Sequence, residues 1–156
     1  MDGNGHIAIS KKGYCTIEIV MELRDIACLS KIKTRYGGSI KPLSHAKAIR
    51  YRLHHKAGII AFINDINGYL YNPVRISQFQ KLCNLYNFNH IISPVLPYNS
   101  AYLSGLFDTD GSINLNTTSL QVFITISQKN RELLDILSVI YGGKVNFHTK
   151  SKSAFK

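Results

Sequence analysis

The chain opens with a two-residue alternation of apolar and polar positions. Ile7 and Ile9 precede a lysine-containing turn, and a second alternating run spans 15–21. Alternation with a period of two is typical of strands with one buried face, so this segment predicts a β-hairpin. From Arg24 to Tyr36, apolar positions recur every three or four residues, which predicts a helix.

A row of cations lies on one face of a further predicted strand at 48–54. Arg50, Arg52 and His54 alternate there with apolar residues, so they share a face. Like charges in a row are unfavourable unless they meet solvent or anions. A solvated edge is one interpretation, and a strand that follows a phosphate backbone is the one we favour. The lysines expected to join this surface are Lys11, Lys12, Lys41 and Lys47.

Helical spacing returns at 56–66 and at 73–86, where Asn72 is the expected N-cap of the second helix.

A repeat organises the whole chain. One segment begins Asp2-Gly3-Asn4-Gly5, and another begins Asp108-Thr109-Asp110-Gly111. Each continues through a β-rich stretch and an amphipathic segment to Tyr-Gly-Gly, which indicates a tandem duplication.

The duplication divides the chain into three parts. We predict a first repeat at 1–86, a connection at 87–99 and a second repeat at 100–156. The second repeat is expected to contain a Ser100-capped helix at 102–107, a hairpin of 112–115 with 120–127, a helix at 130–141, and the start of another hairpin at 144–156.

Charge points to the class of partner. The chain has 156 residues, of which 45% are hydrophobic, and a formal net charge of +10. The apolar content predicts a folded core, and the basic excess favours a polyanion, most simply nucleic acid. A membrane is not expected, since no apolar run approaches the roughly 20 residues of a spanning helix.

Composition also bears on the compartment. The three cysteines lack metal-ligand spacing and no signal peptide is recognisable, which favours reduced thiols inside a cell. Ile, Lys, Asn and Tyr, which all have AT-rich codons, supply 54 residues. This bias favours an organelle genome, and we expect the mitochondrion before the chloroplast.

Residues 103–111, Leu-Ser-Gly-Leu-Phe-Asp-Thr-Asp-Gly, resemble the LAGLIDADG motif of homing endonucleases and intron maturases. The predicted element order after the motif is similar to that of a LAGLIDADG half. The resemblance implies an α+β fold of two pseudo-symmetric αββαββα halves with saddle-shaped antiparallel sheets, here incomplete at both ends.

The resemblance also implies a catalytic centre. In this family each motif helix delivers one carboxylate, and two such helices pack through small residues, a role that Ser104 and Gly105 match. Asp110 matches the catalytic, metal-binding carboxylate, and Gln128 matches a polar position near the active site. In the first repeat Asn4 occupies the carboxylate position, where it lacks the charge that Mg²⁺ coordination depends on.

Two functions follow as alternatives. The first is a binding protein that has lost efficient cleavage and binds structured organellar RNA, in an intron or a ribonucleoprotein such as the ribosome. The second is an active Mg²⁺-dependent endonuclease that cuts duplex DNA and is completed by missing sequence or a second chain. We favour the first because of Asn4; a basic protein-interaction module would leave the motif unexplained. We also expect a complementary chain or an RNA scaffold to cover apolar surface left by the half-motif and the unfinished repeat.

Overall fold

The structure is a computed structural model that describes residues 1–147 and residue 155. In chain order its elements are β1 (Gly5–Ile9), β2 (Cys15–Glu22), α1 (Ile26–Tyr36), β3 (Ser39–Pro42), β4 (Ala48–Leu53), α2 (Lys56–Ile66), α3 (Pro73–Leu85), α4 (Tyr102–Asp110), β5 (Gly111–Asn116), β6 (Gln121–Ile126) and α5 (Arg131–Tyr141). No helix in the described ranges is both long and apolar enough to cross a membrane.

The chain forms two compact units, Met1–Pro94 and Val95–Lys156. The boundary falls inside the connection predicted at 87–99. In the first unit, four antiparallel strands form a sheet in the order β1-β2-β4-β3. The second unit has a two-stranded antiparallel sheet, β5-β6. Each unit combines an antiparallel sheet with helices, which is the mixed α and β architecture expected from the sequence pattern.

The core of the first unit lies between one face of its sheet and the helices. The fully buried strand residues are Ile17, Tyr51 and Leu53. The helices contribute Phe62 of α2 and Phe79 of α3, whose exposed fraction is at most 2%. These strand residues are the apolar half of the alternation, which explains why this face is the buried one. Burial raises the pKa of the Tyr51 hydroxyl to about 12, and that hydroxyl donates to a backbone carbonyl in the loop after α1.

In each unit a helix is followed by a glycine, and the two glycines have similar backbone conformations. Gly37 follows α1 with φ 77° and ψ −148°, and Gly142 follows α5 with φ 79° and ψ −167°. In both glycines φ is positive, and ψ lies outside the left-handed helical region. A side chain is not tolerated in that conformation, so glycine is required at each helix end. The shared geometry agrees with a duplicated unit.

The helix of the second motif is longer than expected. It was predicted to end at Phe107, but α4 runs to Asp110 because the amide of Gly111 still donates to the Phe107 carbonyl. The hydroxyl of Thr109 donates to the Leu106 carbonyl at 2.9 Å, which further closes the last turn. Both motif aspartates are therefore helical rather than part of a following turn.

Smaller boundary differences have local causes. A 3-10 turn precedes α1, so the helix starts at Ile26 instead of Arg24, and β4 stops one residue before His54. The Asn72 cap is confirmed, since its side chain accepts from the Val74 amide at 3.1 Å. Most of the hairpin predicted at 144–156 lies outside the described residues.

Candidate nucleic-acid interface and metal-ligand positions

The solvent side of the four-stranded sheet, here called the outer face, carries three of the predicted cations, Lys41, Arg50 and Arg52. Strand register places these residues side by side on it: His6, Glu18, Val20, Ser39, Lys41, Arg50 and Arg52. Lys41 pairs directly with Arg50 across β3 and β4. Because opposite residues of an antiparallel pair share a face, the charges of two strands form one patch.

A carboxylate lies within this patch. Glu18 of β2 pairs with Arg52 of β4, whose Nε and Nη2 approach Glu18 Oε1 at 2.7 and 2.6 Å. Arg50 Nη1 lies 4.0 Å from the other carboxylate oxygen. The side chains of Arg50 and Arg52 remain 36% and 46% exposed. Glu18 therefore orients the Arg52 guanidinium. The net charge of the patch remains positive, because one carboxylate lies among three cations.

The predicted cations separate into two groups. A cavity of about 150 Å³ is lined by Ser39, Lys41, Arg50, Arg52 and His54, so four of the predicted residues converge on one concave surface. Lys11, Lys12 and Lys47 are exposed in turns and do not line this cavity. A concave, cationic surface of this kind suits a phosphate group.

The first motif position presents no available carboxylate. Asn4 is exposed, while Asp2 is only 5% exposed. Asp2 Oδ2 accepts from the backbone amides of Tyr71 and Asn72 at 2.7 and 3.1 Å, and Asn72 Nδ2 donates to the Asp2 carbonyl. The carboxylate of this turn therefore holds the turn to the start of α3.

The same turn is fixed on its other side by Arg75. Its Nη2 donates to the Gly3 carbonyl at 3.3 Å, and its Nη1 donates to Gln78 Oε1 at 3.1 Å. The same Gln78 oxygen accepts from the Ile7 amide at 3.4 Å. Polar side chains of α3 thus position the turn that presents Asn4.

In the second unit, the two predicted catalytic residues are in direct contact. Gln128 Nε2 donates to Asp110 Oδ2 at 2.7 Å, and the Asp110 carbonyl accepts from the Ser127 amide at 3.1 Å. The end of α4 and the residues after β6 therefore meet at this carboxylate. Both side chains are partly exposed, so the pair is accessible to a ligand.

Asp110 is the metal ligand predicted from the sequence, and its role as a ligand stays a prediction. Among the described residues, no group of three or more His, Cys, Asp and Glu side chains could hold an ion. Mg²⁺ takes six ligands and is commonly bound by one or two carboxylates with water and substrate phosphate. A single carboxylate thus does not form a protein cage, and any Mg²⁺ here would depend on further ligands.

Ser104 and Gly105 are exposed on α4. Outside the backbone of its own helix, a methyl group added at Gly105 would meet no atom of the described residues within 4 Å. Their surface is therefore open within the unit, as a helix-packing surface requires, and their packing role stays a prediction.

A LAGLIDADG-like domain model matches residues 97–154. The intron-encoded RNA maturase bI4 of Saccharomyces cerevisiae is 37% identical over the full length of this chain. The chain belongs to the LAGLIDADG family. The intron-encoded DNA endonuclease ai2b of Dictyostelium discoideum is 36% identical, with 98% of this chain covered. The chain spans 25% of the maturase and 60% of the endonuclease.

Solved structures show the same LAGLIDADG fold. The meganuclease I-AabMI, bound to uncleaved DNA, superposes with a TM-score of 0.64 at 19% identity, covering 99% of this chain and 74% of that one. The homing endonuclease I-GzeII, in complex with its DNA target, gives 0.59 at 20% identity, with 99% and 73% covered. The resemblance noticed in residues 103–111 is therefore confirmed at the level of the fold.

In this LAGLIDADG chain, Glu18 and Ser39 belong to the outer face although neither was predicted to do so. Their alternation was visible, since Glu18 stands between Ile17 and Ile19. The pairing that brings Glu18 to Arg52 joins residues 34 positions apart, across an intervening helix and strand. Periodicity assigns a face to each strand but does not say which strands are neighbours.

Proposed function

We propose that this chain binds nucleic acid through the outer face of its first unit, that its partner is structured RNA of an organelle intron or ribonucleoprotein, and that cleavage is impaired. The carrying observation is the alignment of Lys41, Arg50 and Arg52 on one concave, exposed surface. Structured RNA is recognised largely through shape and phosphate contacts, which a rigid cationic sheet supplies. The relative named an RNA maturase supports this choice of partner.

Impaired cleavage is supported by the first motif. Asn4 offers a neutral amide where the family pattern has a carboxylate, and Asp2 is buried against backbone amides. With Asp110 as the one carboxylate at the two motif positions, less negative charge is available to hold divalent ions. Nucleic-acid binding does not depend on this charge, so it persists.

DNA cleavage is the second candidate, and the contact between Gln128 and Asp110 favours it. A carboxylate held in one orientation by a neighbouring amide is suited to bind a metal ion. Two relatives are named DNA endonucleases, and the solved structures of I-AabMI and I-GzeII are bound to DNA. On this alternative, sequence beyond the chain or a second chain supplies the other metal ligand.

The proposed compartment is an organelle, the mitochondrion before the chloroplast. The relatives are described as intron-encoded, and the chain is rich in residues with AT-rich codons. A gene inside an organelle intron would place the protein beside the RNA that we propose as its partner.

The test combines binding and cleavage on matched substrates. Folded intron RNA and duplex DNA of the same sequence are incubated with the chain in Mg²⁺, from about 50 to 200 mM salt. We expect salt-sensitive RNA binding, weaker duplex binding and no cut product, with RNA affinity reduced by Arg50→Ala. Asn4→Asp, which restores the missing charge, is expected to increase any Mg²⁺-dependent nicking.

Two results would contradict the proposal. Double-strand DNA cuts by the unaltered chain that disappear in Asp110→Asn would establish the endonuclease instead. RNA affinity that neither salt nor Arg50→Ala changes would show that the outer face is not the interface.

A further inference from the structure

We propose that the second unit binds an unpaired nucleobase on the polar face of its β5–β6 hairpin, with the base stacked on Phe123 and hydrogen-bonded by Asn114. This inference rests on the proposed nucleic-acid-binding function and adds a subsite that reads a base instead of the backbone. Four side chains form the face: Ser112, Asn114, Phe123 and Thr125.

The hairpin carries no charge. Residues 111–128 contain no Asp, Glu, Lys, Arg or His, although the chain as a whole has a net charge of +10. Phosphate contacts that neutralise the backbone need Lys or Arg, and the outer face of the first unit provides them. An uncharged polar surface in the same protein is better suited to base edges and base faces.

Strand register places an aromatic ring among hydrogen-bonding groups. Asn114 pairs with Phe123, and Ser112 pairs with Thr125, so all four side chains lie on one face. Phe123 is the one apolar residue among the four side chains of this face, and it is 44% exposed. An exposed aromatic ring on a strand, flanked by amide and hydroxyl groups, is the arrangement on which single-stranded bases stack in many binding proteins.

The amide beside the ring is already oriented. The hydroxyls of Ser112 and Thr125 lie 2.7 Å apart, and Asn114 Nδ2 lies 3.1 Å from each of them. These contacts fix the Asn114 amide nitrogen, so the direction of its acceptor oxygen is set before a ligand arrives. A fixed acceptor next to a stacking surface selects a base that presents an amino or imino hydrogen.

Stacking requires that the base be unpaired. In a duplex both faces of a base are covered by its neighbours, and a side chain reaches only the base edges in the grooves. The bases of loops, bulges and single strands expose their faces to an aromatic ring. The ligand class is therefore an unpaired nucleotide, which either an RNA loop or single-stranded DNA presents.

The experiment uses Phe123→Trp as a probe, because the natural chain contains no Trp. The variant is titrated with an RNA hairpin that has a large loop, a single-stranded DNA of the loop sequence and a fully paired duplex. We expect fluorescence quenching by the first two and none by the duplex. Comparison of the RNA and DNA arms shows whether the 2′-hydroxyl contributes.

Substitutions separate stacking from folding. Phe123→Leu keeps an apolar side chain but removes the ring face, and we expect its affinity for the loop RNA to fall about tenfold. Phe123→Tyr keeps the ring and should bind like the unaltered chain. Leu115→Ala, on the opposite face of the same hairpin, is the matched control and should leave affinity unchanged. Thermal unfolding of each variant checks that the hairpin is intact.

Each contrary result has a defined meaning. If Phe123→Leu binds loop RNA normally while Arg50→Ala weakens binding, the base subsite is wrong and the proposed function stands. If neither substitution weakens binding, the proposed function is wrong as well. Quenching by the paired duplex as strong as by the loop would replace stacking with a groove contact and overturn the inference.

Discussion

The side-chain amide of Gln128 donates a hydrogen bond of 2.7 Å to Asp110 Oδ2 at the end of α4. This contact joins the motif helix to the segment that follows the hairpin, and the backbone of Gln128 continues it by exchanging two hydrogen bonds with Phe155. Asp110 is thus part of a connected structure and not an isolated surface acid. A variant that tests Asp110 must therefore distinguish a role in chemistry from a role in folding.

Asp110→Asn makes that separation. The substituted amide retains an oxygen that can accept from Gln128, so we expect the unfolding temperature to stay within a few degrees and RNA affinity to stay within about twofold. Any Mg²⁺-dependent cleavage should be abolished, because a neutral amide holds the ion poorly. Cleavage assays and calorimetry on the same samples check both expectations, and a large loss of RNA affinity would contradict them.

Glu18→Gln should strengthen non-specific nucleic-acid binding. Glu18 forms an ion pair with Arg52, and removal of its charge leaves the guanidinium without a competing anion. We expect the dependence of log affinity on log salt to steepen by up to about one unit, since one further phosphate can be neutralised. Binding isotherms at several salt concentrations measure this slope.

Arg52→Ala provides the complementary variant. It should weaken binding and reduce the slope by about 0.7 to 0.9. If Glu18→Gln weakened binding as much as Arg52→Ala does, orientation of the guanidinium by Glu18 would matter more than the charge that Glu18 neutralises.

Asp2→Ala should destabilise the first unit. Asp2 is buried, and the substitution leaves the amides of Tyr71 and Asn72 without their carboxylate acceptor. The expected loss in the free energy of unfolding is about 2 kcal/mol, measured by urea denaturation. Asp108→Ala, at the matching position of the second repeat, is exposed and should change it by less than about 0.5 kcal/mol. Equal losses in the two variants would contradict a structural role specific to Asp2.

Thiol reactivity should report on the fold of the first unit. Burial raises the pKa of the Cys15 thiol to about 11 and raises that of Cys83, whereas Cys28 is exposed on α1. At pH 8 we expect Cys28 to be alkylated rapidly, and Cys15 and Cys83 only after unfolding. Mass spectrometry of peptides from timed alkylation follows each site. Rapid native-state modification of Cys15 would show that its strand opens readily.

The same shift gives a pH dependence of stability. A thiol whose pKa is raised by folding favours the folded state while it remains protonated. Its contribution is complete below the ordinary range of a thiol and is lost as the pH rises toward about 11. Cys15→Ser, with an alcohol that does not ionise in this range, should lose less stability between neutral and alkaline pH than the unaltered chain does.

The sequence pattern predicted most of the local structure. Alternation and helical spacing located the hairpins and the helices to within a few residues, because these patterns reflect which side chains each element buries. The LAGLIDADG resemblance identified the family and brought Asp110 and Gln128 together as candidates. The extension of α4 to Asp110 was missed because the predicted helix was ended at Phe107, where the apolar residues of the motif stop.

Contacts between distant segments could not be predicted in the same way. Asp2 was noted only as the start of a repeat, yet its partners lie about 70 residues away at the beginning of α3. The pairing of β2 with β4 likewise brought Glu18 into the cationic row. Local periodicity carries no information about such neighbours, which depend on how the whole unit packs.

The distance along the chain between Asp2 and Asn72 has a consequence for the order of folding. A ribosome releases the turn that carries Asn4 long before it makes the two amides that hold this turn in place. The strand partners of β1 are within 15 residues, so that hairpin can close early, while contacts of long sequence separation form late. During synthesis, therefore, the region of the first motif takes its final shape only when α3 arrives.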